Sequence, residues 1–214
     1  MHESRVRIGA LGLALAGILF LVYETVAPRT AQNTLEGAAS WTSPGWSIGH
    51  VAAIIGLILI PLGWAGLRNT LADKRTERLA DLAATLGQIG SALAISYYGA
   101  EVYGLRAIGA RAVADGDASL TAIGEDFRMN PIAAAVFAIG LALIAAAAVL
   151  AAVALWRSGT VRRWSGVPMA TAMVLYLPHF SLPHAARIGW GALVTVGAVW
   201  IATELWRSAS RMPD

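Results

Sequence analysis

The sequence predicts an all-α, polytopic integral membrane protein: one domain, six transmembrane helices, both termini cytoplasmic, and a short interfacial helix in the third connection. Three observations carry this. Six apolar runs cover most of the 214 residues, at about 8–27, 47–67, 80–104, 131–156, 162–178 and 185–206. Most are long enough to cross a hydrocarbon core of ~30 Å at ~1.5 Å per helical residue. The composition, 57% hydrophobic and 14% charged, is unlike that of a soluble domain.

The first run follows Arg5 and Arg7, and its apolar core from Ile8 to Val22 also has the length of a signal-peptide core. Pro28 directly follows the small-residue point at Ala27, so the run is expected to be retained as a span. The second run begins near His50 and ends at Trp64 and Arg68; the third ends in Tyr97, Tyr98, Glu101 and Tyr103. In the long connection that follows, Leu105, Ile108 and Ala112 recur at helical spacing before Asp115, Gly116 and Asp117 interrupt them. A short amphipathic helix on the outer interface is expected there, either as a cover for the bundle or as a lid over a pocket.

The fourth run closes on Leu155, Trp156, Arg157 and Ser158, echoed at the end of the sixth by Leu205, Trp206, Arg207 and Ser208. Interfacial Trp with a snorkelling Arg is the expected anchor at a membrane border, and similar borders produce such an echo without duplication. The fifth run is short and carries Pro168 and Pro178, as a re-entrant segment would. The apolar-rich stretch 164–206, broken only at 179–184, fits two tight spans better.

Orientation follows from the basic residues. With six spans, eleven of the 16 Lys and Arg fall on the side of the termini, which is therefore cytoplasmic. The other five are Arg29, Arg106, Arg111, Arg128 and Arg187. Abundant Ala and Gly, with Lys74 the sole Lys, suggest a GC-rich bacterial genome and hence a multi-pass protein of the cell inner membrane.

Much chemistry is excluded. Without cysteine there is no disulfide, thiolate metal site or thiol nucleophile. There is no P-loop and no dinucleotide fingerprint, so no nucleotide partner is expected. The net charge of +3 is scattered at the ends of apolar runs, which argues against nucleic acid.

The topology places the unusual residues in one outer layer: Glu24, His50, Glu101 and the pair His179 and His184, with Tyr97, Tyr98, Trp46 and Tyr176 nearby. Ionisable groups within spans are costly and usually face protein or a wet cavity. Glu101 shares a helical face with Gly87, Gly90, Ala94 and Tyr97, small residues that allow close packing, so it points into the bundle. There it acts either as a proton donor or as an inter-helix hydrogen-bond partner. Glu24 and His50 are the candidates to assist it, and Glu24 pairs with Glu101 as acid and base if their helices adjoin.

Two function classes remain. The chain binds a lipophilic small molecule or a membrane partner in an outer-leaflet pocket. Alternatively, it is an acid/base enzyme, an isomerase or cyclase of an isoprenoid or lipid-like substrate, with Glu101, Glu24 and His50 catalytic and the pocket lined by Tyr97, Tyr98, Trp41 and Trp46. No tight metal motif such as HExxH is present and no cofactor is expected, with a b-type haem between His50 and an outer His kept as a further alternative.

Overall fold

A computed structural model describes residues 2–71 and 73–211. Among them every regular element is helical. Five helices are long and apolar enough to cross a membrane. They are α1 (His2–Val26), α3 (Pro44–Arg68), α4 (Lys74–Gly99), α7 (Pro131–Ser158) and α10 (His184–Ala209), of which α4 runs on without a break to Asp115. The remaining helices are short: α2 (Leu35–Thr42), α5 (Leu105–Asp115), α6 (Thr121–Met129), α8 (Val167–Val174) and α9 (Tyr176–His179).

Local chemistry sets the helix starts. Ser43, Asp73 and Asn130 accept backbone N–H groups in the first turns of α3, α4 and α7, and Pro44 and Pro131 occupy first-turn positions where no N–H is needed. Outward-facing positions along the long helices are apolar: Ile8, Leu11, Leu15 and Ile18 on α1, and Ile48, Val51, Ile55, Ile58 and Leu62 on α3, are 37% to 61% exposed. Such a belt is costly in water and suits hydrocarbon.

The helices close a ring. α1 packs between α3 and α10, α3 meets α4, α4 meets α7, and α8 completes the circuit between α7 and α10. Inside lies one apolar core that includes Leu13, Phe20, Leu57, Ile60, Trp64 and Ile144. Glycine sets the close crossing of α4 and α7, for a Cβ on Gly90 would lie 2.6 Å from the Gly140 carbonyl oxygen. Only a residue without a side chain lets α4 and α7 approach so closely.

The expected fifth span, 162–178, is not one long helix. Pro178 has no N–H to give the Val174 carbonyl and its ring would strike it, so α8 stops at Val174 and a single turn, α9, follows. The segment still runs the length of the ring: the Arg162 backbone N–H meets Glu204 near the end of α10, and His179 meets Glu24 at the end of α1. The described termini share one end of the ring, where Arg7 lies 5.1 Å over the Trp206 ring.

In the third connection α5 continues α4 through a widened π turn at Ala100–Gly104, rather than beginning as a separate helix. It then packs against α2, where a Cβ on Gly109 would sit 2.5 Å from the Ala38 carbonyl oxygen. With α6, these helices form a cap over the end of the ring opposite the termini. The cap places Trp41 and Leu105 in a small core of their own beside Trp46.

Candidate functional site

Under the cap lies a cavity of about 620 Å³. Five aromatic side chains form its body: Tyr97 and Tyr98 of α4, Phe137 of α7, Phe180 after α9, and Tyr23 of α1. Tyr97 stacks on Phe137 at 4.3 Å between centroids, and Phe137 reaches Phe180 at 5.8 Å. Trp46 and His50 supply a further wall, their rings 4.1 Å apart. At the rim stand Met129 and Leu177, 67% and 50% exposed, so the mouth is apolar.

Glu101 enters this cavity from the π turn, a local widening often found at functional sites. The turn offers its backbone carbonyl to the Trp46 indole N–H at 3.0 Å. Its carboxylate is gripped by Arg128 of α6, Nε to Oε1 at 2.7 Å and Nη2 to Oε2 at 2.9 Å. This two-pronged arrangement is the strongest form of carboxylate recognition. Burial alone would lower the Arg128 pKa, but the hydrogen bond to Glu101 and its charge raise it above the ordinary value, so the guanidinium stays charged.

His50 is 2% exposed and adjoins Glu101 without bonding to it. Its Nδ1 donates to the Trp46 carbonyl at 2.8 Å, because a carbonyl only accepts, and this leaves the Nε2 lone pair free in the neutral ring. Nε2 lies 3.9 Å from Glu101 Oε2, a separation too long for a hydrogen bond.

Glu24 sits apart, fully buried at the hub of a clasp. It accepts from Arg29 Nη2 at 2.9 Å, Arg187 Nε at 3.1 Å and His179 Nε2 at 2.9 Å. Exposed His184 donates from Nε2 to the Glu24 carbonyl at 2.9 Å. His179 Nδ1 meets the Tyr176 carbonyl, so both of its ring nitrogens are engaged by protein oxygens. The clasp thereby ties the end of α1 to α9 and the start of α10. Burial pulls the Arg29 pKa down, while Tyr23 and Glu24 raise it past its ordinary value.

The sequence-derived candidates thus divide. Glu101, His50, Trp46, Tyr97 and Tyr98 line one cavity. Glu24, His179 and His184 form the clasp, and Tyr176 lies between the two, its hydroxyl 3.0 Å from that of Tyr98. Glu24 and Glu101 are not paired with each other: α1 and α4 are not ring neighbours, and each carboxylate has its own arginine. Trp41 lines a second cavity of about 630 Å³ between α2 and α6. Gln32 and Arg128 stand between the two cavities, with Gln32 Oε1 accepting from Trp41 Nε1 at 2.6 Å and from Arg128 Nη2 at 3.1 Å. Among the described residues, no group of three His, Asp or Glu is disposed to hold a metal ion.

Sequence reasoning missed Arg29, Arg128, Arg187, Gln32, Phe137 and Phe180 as cavity residues. A signal for the arginines was present. Arg29, Arg128 and Arg187 are three of the five basic residues on the sparse side of the charge count, and all three line the cavity. Their scarcity on that side points to a local role for each. No protein-family model, curated protein or solved structure matches this chain.

Proposed function

We propose that this chain is a multi-pass protein of a bacterial inner membrane that binds a lipophilic small molecule in the cavity beneath its cap. In this reading the chain crosses six times, the fifth through α8 and α9, and both termini lie in the cytoplasm. The cavity then opens toward the outer leaflet. The observation that carries the reading is the coincidence, in one space of about 620 Å³, of stacked aromatic walls with a few converging polar groups and an apolar mouth. Pockets for small molecules have this size and make-up.

Trp46, in the wall, provides the test. A neutral ω-bromo undecanol added to the protein in lipid nanodiscs should quench part of the tryptophan emission saturably, and Trp46→Phe should lack that part. Quenching that only rises linearly, alike in both proteins, contradicts the binding site.

A second reading, acid/base catalysis on a lipid-like substrate, draws support from His50. Its free Nε2 beside Glu101 is placed to take a proton, while Arg128 holds Glu101 as an acceptor. In that reading His50 is the base, and Glu101, proposed from the sequence as proton donor, stabilises the charged imidazolium. Loss of turnover of an isoprenoid substrate in His50→Gln, with ligand binding retained, would favour catalysis over binding alone.

A further inference from the structure

The cavity has an unbalanced polar wall. Arg29, Arg128 and Arg187 line it, and the carboxylates that hold them are Glu24 and Glu101. Three guanidinium charges therefore stand against two carboxylates, and His50 adds no negative charge. Glu125 is the next acid toward Arg128, but it is exposed on the side of the second cavity, where water screens it.

Donors are also left over. Arg29 Nε is buried without a hydrogen-bond partner among the described residues. Arg128 and Arg187 bond to their carboxylates through Nε and Nη2, which uses one edge of each planar group. A guanidinium carries five N–H groups in a fixed fork that matches carboxylate and phosphate oxygens. An enclosed donor without an acceptor is costly, and an anionic oxygen group supplies both the acceptor and the missing charge.

We infer that the natural ligand is an amphiphile with an anionic oxygen head group, a carboxylate or phosphate, seated among Arg29, Arg128 and Arg187, its apolar body lying along Tyr97, Phe137 and Phe180 toward the mouth at Leu177. This deepens and rests on the reading of the cavity as a site for a lipophilic molecule. A neutral terpene or sterol leaves the arginine edge unmatched. A free inorganic anion leaves the aromatic body unfilled.

The Trp46 quenching titration, run with matched undecyl chains, tests it on the unmodified protein. The ω-bromo undecanoate and ω-bromo undecyl phosphate should bind about tenfold or more tightly than the corresponding alcohol. Excess inorganic phosphate should not displace the alkyl phosphate, which would otherwise make the head group alone the ligand and overturn the amphiphile. Arg29→Gln keeps Arg187 and His179 on Glu24, and it should shrink the preference for the acid over the alcohol to within about threefold. If the alcohol binds as tightly as the acid and the phosphate, the anionic head is refuted and the lipophilic pocket stands. If none of the three quenches Trp46 saturably, both readings fall.

Discussion

Arg128 reaches back across 27 residues of chain to hold both carboxylate oxygens of Glu101, fastening the cap helix α6 to the π turn at the top of α4. The two side chains are 16% and 10% exposed, so water screens the pair little. The pair decides the cavity's shape, because Arg128 also carries the Gln32 bond that separates the two spaces.

Removing one partner should therefore cost more than removing both. Arg128→Met leaves a buried carboxylate unpaired and should lower stability by on the order of 3 kcal/mol, and Glu101→Met should do likewise. The double variant should recover much of that loss. Thermal unfolding in mild detergent measures all three, and simple additivity would show that the pair is not coupled.

Tyr98 and Tyr176 share a hydroxyl hydrogen bond of 3.0 Å in a fully enclosed setting, joining α4 to α9 across the ring. Tyr98→Phe leaves the Tyr176 hydroxyl without this partner and should cost about 1 kcal/mol. Adding Tyr176→Phe should return part of it. The same unfolding assay reads the result, and a double variant worse than the sum of the single ones would contradict the pairing.

The approach of α4 to α7 rests on glycine. Gly90→Val would drive its side chain into the Gly140 carbonyl and should destabilise the protein by at least about 2 kcal/mol. Gly99→Ala serves as a control, since a Cβ there meets nothing nearer than the Tyr103 ring at 4.0 Å. Equal stability of the two variants would mean that the helices do not cross at Gly90.

Sidedness can be tested cleanly because the chain has no cysteine. Ala114→Cys, on the exposed face of α5, should react with an impermeant thiol reagent added to intact cells. Reaction only after lysis would invert the topology and move the cavity to the cytoplasmic side.

The long helices were legible in the sequence because each is a run of apolar residues bounded by charge. The fifth segment was legible as a stretch but not as a helix, since Pro178 acts on Val174 four residues earlier and divides it. The eight residues of α2 give too little periodicity to stand out, and their place follows from packing on Gly109. The gathering of Glu24, His50, Glu101, His179 and His184 at one end was readable from span alternation alone. Their partners were not. Arg187 lies 163 residues from Glu24 along the chain, and nothing local joins them. Only the charge count marked Arg29, Arg128 and Arg187 as unusual, by grouping them on the side with the fewer basic residues.

The central claim is that the aromatic cavity holds a lipophilic molecule, and photolabelling tests it most directly. An alkyl carboxylate bearing a diazirine, irradiated with the protein in nanodiscs and mapped by peptide mass spectrometry, should mark segments carrying Tyr97, Met129, Phe137 or Phe180. Excess unlabelled carboxylate should suppress that labelling. Labelling confined to outward-facing residues such as Ile58, Leu62 and Val196, and indifferent to competitor, would contradict the claim.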